Sequence, residues 1–167
     1  MSSQDAAAKK KHKALPHGVT PLEEVKHLTG LEFMRGILEG RYPPAPITAA
    51  LKFELTEVGK GLAVFEGTPE FAYYNPISSV HGGYAATLLD SCMGCAVHTI
   101  LPAGQAYTTL EFKINYVRAM TDKTGRVRAV GQVIHPGSRA ATAEGKLYDA
   151  AGKLLAHATT TCMIFPI

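Results

Sequence analysis

At 167 residues, 46% hydrophobic and 19% charged, the chain suits one domain with a real core, is too short for two ordinary ones, and has none of the bias of a disordered or collagen-like polymer. The formal net charge is +3, and Lys9, Lys10, Lys11 and Lys13 against Asp5 account for it within the N-terminal segment, so no folded basic surface for nucleic acid is expected. No stretch approaches the roughly 20 apolar residues of a membrane span, no apolar signal core opens the chain, and Cys92, Cys95 and Cys162 make no disulfide framework, which together predict a cytoplasmic protein that engages neither membrane nor nucleic acid.

Residues 1–18 read as a disordered basic tail ending in the breaker Pro16-His17-Gly18, and residues 19–167 as a single domain. Thr20-Pro21-Leu22-Glu23 has the form of a helix start, with a Thr that can cap, Pro at the first helical position and Glu three residues after the cap. The apolar residues Leu22, Val25, Leu28, Leu31, Phe33, Met34, Ile37 and Leu38 predict an extra N-terminal helix over 20–40, or two short helices broken near Thr29-Gly30. The proline-rich segment 42–46 reads as a stiff connector.

Two strands are expected over 50–57 and 62–71, joined by a glycine-containing hairpin turn. A loop over 74–81 leads into a long apolar segment, 82–100, in which Ala85, Leu88, Leu89, Cys92, Ala96 and Ile100 recur near helical spacing, so this helix should be mostly buried. From Thr109 to Tyr116 the period switches to two, with Leu110, Phe112, Ile114 and Tyr116 alternating with polar residues. Strands over about 126–135, 139–149 and 153–165 follow, separated by turns at 135–138 and 149–152. The order is that of an α+β domain in which an antiparallel sheet of about five to six strands wraps around one long central helix, the hotdog arrangement. Such a sheet leaves an edge open, and pairing with a second copy would cover it.

The chemistry-bearing residues gather at the start of the buried helix. A helix N-terminus presents unpaired backbone N–H groups and the positive end of the helix dipole, and Gly82 and Gly83 place no side chain in front of those donors. Asp90 is the only charged residue between His81 and Ile100; a lone carboxylate there is either used chemically or held by a neighbouring loop. It stands eight residues after Gly82, about 12 Å along the helix axis. The two cannot grip one small group within one subunit, so a site shared between the glycines of one subunit and the aspartate of its partner is expected.

The run from Asn75 through His81-Gly82-Gly83 to Asp90 resembles the hotdog acyl-CoA thioesterases of the phenylacetic-acid-degradation type, the 4-hydroxybenzoyl-CoA thioesterase-like branch. The likeness extends in outline over about 45–165 and takes in Thr109, the turn Gly137-Ser138-Arg139 and the hairpin at 148–156. It implies hydrolysis of an aromatic or short- to medium-chain acyl-CoA, with Asp90 as nucleophile or general base and the Gly82 N–H polarising the thioester oxygen. Asn75 and His81 would position thioester or water, Thr109 would assist the aspartate, and Gly83, Ser138 and Arg139 would meet the coenzyme A. No metal and no cofactor is implied beyond the coenzyme A of the substrate. A homodimer with shared active sites, assembled as a dimer of dimers (a homotetramer), is the implied partner arrangement.

In that family the loop usually carries glycine where this chain has Ser78. The alternative is a non-catalytic binder of acyl-CoA or acyl-carrier protein, which would have no need of Asp90. Cys92, Cys95 and His98 resemble a metal or redox motif, yet lie well inside a helix, where cysteines serve as small core residues.

Overall fold

The computed structural model describes residues 8–9 and 15–167. In chain order the elements are β1 (Ala8–Lys9), α1 (Leu22–Val25), α2 (Gly30–Leu38), α3 (Pro46–Ala50), β2 (Phe53–Gly59), β3 (Leu62–Gly67), a 3-10 turn at Phe71–Tyr73, α4 (Gly82–His98), β4 (Gln105–Tyr116), β5 (Val127–His135), β6 (Ala140–Asp149) and β7 (Leu154–Pro166). The strands form one sheet in the order β1-β2-β3-β5-β6-β7-β4, every neighbouring pair antiparallel. The chain leaves the sheet after β3, runs through α4 and re-enters at the far edge as β4, so α4 lies across the concave face. This is the expected hotdog arrangement, with the short β1 added at the other edge.

Helix α4 is apolar around most of its circumference because the sheet encloses it. Leu88, Leu89, Cys92, Met93, Ala96 and Val97 are fully buried among Val127, Ala129, Ala141, Ala143 and Leu147 of the sheet. Each large side chain so buried contributes about 1.5–3 kcal/mol. The approach is close enough that a Cβ on Gly131 of β5 would stand 2.2 Å from the backbone of Cys92, so only glycine lets the helix lie there. Leu88→Ala should lower the unfolding free energy by about 2–5 kcal/mol, measured by denaturant titration, because the enclosed site cannot collapse around the lost volume.

The N-terminal part departs from expectation in two places. The capping box forms at Thr29, whose hydroxyl accepts from the Glu32 N–H while the Glu32 carboxylate accepts from the Thr29 N–H. Pro21 precedes α1 instead, with no side-chain cap. Both sites carry Thr-x-x-Glu, and packing decides between them: α2 buries Met34 and Leu38, whereas α1 buries nothing. The second departure is α3, a short helix with Pro46 at its first position, where a connector and the start of a strand were expected.

Of the tail expected over 1–18, residues 1–7 and 10–14 lie outside the described ones. Ala8–Lys9 pair with Glu57 and Val58, and the Gly18 N–H donates to the Pro44 carbonyl. No helix among the described residues is long and apolar enough to cross a membrane.

Candidate active site at the start of the buried helix

Asn75 organises the loop that leads into α4. Its side-chain oxygen accepts from the N–H groups of Ile77 (3.0 Å) and Ser79 (3.2 Å), and its Nδ2 donates to the Ser79 hydroxyl (2.9 Å). Both ends of the amide are therefore committed to the loop. Inside that turn Ser78 takes φ 66°, the left-handed region. A non-glycine residue there costs roughly 1–2 kcal/mol, against about 0.5–1 kcal/mol of extra chain entropy that glycine would lose on folding. Ser78→Gly should therefore stabilise the protein slightly, raising the melting temperature by roughly 1–4 °C in a calorimetric scan.

His81 is the N-cap of α4, with its Nδ1 accepting from the Gly83 N–H at 2.8 Å. In the neutral ring the proton then sits on Nε2, which leaves a donor facing outward. The Tyr84 N–H donates to the His81 carbonyl, and among the described residues the Gly82 N–H has no partner. With no acidic residue in the first turn, the positive end of the helix dipole is unopposed there. Gly82 thus offers one free donor at an electropositive helix start, the arrangement that polarises a carbonyl oxygen.

A cleft of about 400 Å³ opens at this point, lined in part by Ser79, Gly82, Tyr116 and Arg118. The Tyr116 ring covers Gly82 so closely that a Cβ there would meet it at 2.9 Å, and its hydroxyl donates to the Gly82 carbonyl at 3.2 Å. Arg118 is exposed and makes no ion pair among the described residues. Neither residue was singled out from sequence. Tyr116 ends a run of alternating apolar residues and reads as core, and nothing in Val117-Arg118-Ala119 marks a cation beside a helix start.

Asp90 sits on α4 more than two turns further on, half-buried, with its Oδ1 accepting from the Thr109 hydroxyl at 3.0 Å. Strict alternation along β4 would turn Thr109 away from the face that carries Phe112 and Ile114. A β-bulge at Leu110 resolves this: β4 pairs Thr109 with Cys162 but Glu111 with Thr161, so the inward face changes from odd to even positions. The structure therefore brings Asp90 and Thr109 together, places Asn75, His81, Gly82 and Gly83 in the loop and first turn of α4, and holds the two groups apart within one chain.

Ser138 and Arg139 occupy the exposed turn between β5 and β6, Arg139 without an ion pair among the described residues. Cys92 and Cys95 are core residues: burial raises both thiols, Cys95 up to about 12, and Cys92 donates to the Leu89 carbonyl. Among the described residues no group of three His, Cys, Asp or Glu side chains could hold a metal ion.

Residues 78–156, from the loop before His81 through Asp90, Thr109 and Arg139 to the start of β7, match the thioesterase superfamily. The matched region is somewhat less than half of the chain. A relative, the 1,4-dihydroxy-2-naphthoyl-CoA hydrolase of Escherichia coli K12, is 30% identical over 89 residues, which are 53% of this chain and 64% of the relative. The chain thus spans less than two thirds of the length of that hydrolase. A phenylacetic acid degradation-related protein from Ralstonia eutropha superposes with a TM-score of 0.71 at 26% identity, over 78% of this chain and 98% of its own. The Escherichia coli PaaI protein from the phenylacetic acid degradation operon shares this fold with a TM-score of 0.65 at 22% identity, over 71% and 83% of the two chains.

Proposed function

We propose that this protein is an acyl-CoA thioesterase whose active sites are each built from two subunits. The observation that carries the reading is the pairing of a free Gly82 N–H at an unopposed helix start with a single carboxylate, Asp90, on the same buried helix. The donor polarises the thioester carbonyl, and Asp90, oriented by Thr109, attacks it or activates water. A thioester suits a weak carboxylate nucleophile because its thiolate leaves readily.

About 12 Å of helix separates Gly82 from Asp90, so the partner subunit supplies one of them to each site. Strand β4 supports this arrangement. It is the outermost strand, bonded only to β7 among the described residues, and Leu110, Tyr116 and Val117 at or beside it are exposed. A second copy laid edge to edge along β4 would continue the sheet and cover them.

His81 and the loop held by Asn75 fix the oxyanion donor, while Arg118 beside the cleft and Arg139 on the β5–β6 turn offer charge to the phosphates of coenzyme A. The likeness to a naphthoyl-CoA hydrolase supports a coenzyme A thioester with an aromatic acyl group. The test is release of free thiol from a panel of aromatic and straight-chain acyl-CoAs by the purified protein. Binding of acyl-CoA without thiol release would replace this reading with that of a non-catalytic binder.

A further inference from the structure

Helix α4 and the first half of β4 run alongside each other in step. On α4, Asp90, Gly94 and His98 are four residues apart and share a face, advancing about 6 Å each. On β4, Thr109, Tyr107 and Gln105 are two apart and share the inward face, advancing about 6.6 Å each. The two series meet rung by rung. The Thr109 hydroxyl bonds Asp90, the Tyr107 hydroxyl stands where a Cβ on Gly94 would come within 2.6 Å, and the Tyr107 ring lies 5.7 Å from that of His98.

The next rung, His98 and Gln105, opens onto an apolar cavity of about 360 Å³. Its other walls come from the N-terminal segment, including Leu22, Val25, Leu28 and Phe33, and the Phe33 ring is 5.9 Å from His98. That segment lies before the matched residues 78–156. Burial lowers the basicity of His98, so the wall it provides is neutral. An apolar space therefore lies on the same seam as the carboxylate, two helical turns away, with one tyrosine between them.

We propose that Tyr107 sets the length of the acyl group, closing the α4–β4 seam one turn beyond Asp90 so that the substrate's acyl chain ends against its ring. The inference rests on the thioesterase reading above and narrows it to short or compact acyl groups, including a single aromatic ring. Gly94 is part of the device, because any side chain there would displace the phenol that fills the seam. Replacing Tyr107 by a small residue joins the apolar cavity to the site and lets a longer chain enter it.

The experiment compares kcat/KM for butyryl-, phenylacetyl-, decanoyl- and palmitoyl-CoA in the wild type, Tyr107→Phe, Tyr107→Ala and Tyr107→Val, with thermal unfolding confirming that each variant is folded. Wild type and Tyr107→Phe should share one preference for butyryl- and phenylacetyl-CoA, since both keep the ring. In Tyr107→Ala or the more conservative Tyr107→Val, the decanoyl-to-butyryl ratio should rise by about tenfold or more, the scale on which a hydrophobic pocket discriminates. An unchanged ratio in both folded variants, or a wild type that cleaves palmitoyl-CoA as readily as butyryl-CoA, overturns the role of Tyr107 while leaving the thioesterase reading intact. Thiol release from no member of the panel overturns both.

Discussion

Asp90→Asn should lower turnover of an acyl-CoA by roughly 10²–10⁴-fold, the usual worth of a positioned acid or base. The substitution is chosen because asparagine has the same shape and keeps an oxygen for the Thr109 hydroxyl, which donates to Asp90 at 3.0 Å. What it removes is the charge and the basic lone pair, and with them both the nucleophilic and the general-base routes. Folding should be little affected, since Asp90 is half-buried and makes no ion pair among the described residues. Thiol release is followed spectrophotometrically beside a thermal scan. Equal turnover in the two proteins would mean that Asp90 serves only to hold β4 against α4.

Gly82→Pro should lower kcat by about 10²–10³-fold, the cost of losing one oxyanion donor. Proline deletes the N–H and nothing else of the backbone, and it is well suited to the first position of a helix. His81 before it already has φ −58° and ψ 135°, the extended conformation that a following proline requires. The new ring would press on Tyr116, which lies 2.9 Å from a Cβ at this position. Gly82→Ala carries the same Cβ with the N–H retained, and so separates the steric effect from the lost donor.

Mixing the two inactive proteins then tests the shared site. If each site takes Gly82 from one subunit and Asp90 from the other, a mixed dimer of Asp90→Asn with Gly82→Pro has one intact site and one doubly damaged. Statistical exchange between subunits should restore about a quarter of wild-type activity, because half the dimers are mixed and half their sites are whole. A site contained within one subunit would recover none.

The elements most legible in the sequence were those whose cause is local. Two glycines began α4, the apolar period of 82–100 buried it, and the turns at 135–138 and 149–152 separated β5, β6 and β7. The candidate residues from Asn75 to Asp90 could be placed for the same reason, being one loop and one helix. What the sequence hid was decided by contacts across the chain. Thr20 and Thr29 both precede a glutamate by three residues, and only packing of α2 selects the second. Tyr107, Tyr116 and Arg118 lie in or just after β4 and face α4 or the start of it, so their importance appears only when strand and helix are set side by side. Alternation of Leu110, Phe112 and Ile114 reads as an unbroken strand, and nothing in it discloses the bulge.

That bulge constrains what β4 can tolerate. Its first half turns Tyr107 and Thr109 toward the helix at odd positions, and its second half turns Phe112 and Ile114 inward at even ones. With Leu110 deleted, a regular strand could satisfy one half only by rotating the other outward, so either the carboxylate loses Thr109 or the core loses its aromatic and aliphatic cover. Substitutions along β4 can be absorbed one at a time, but its residue count cannot change by one: the spare residue is a gear tooth that keeps the end that holds Asp90 and the end that packs the core in phase along a single strand.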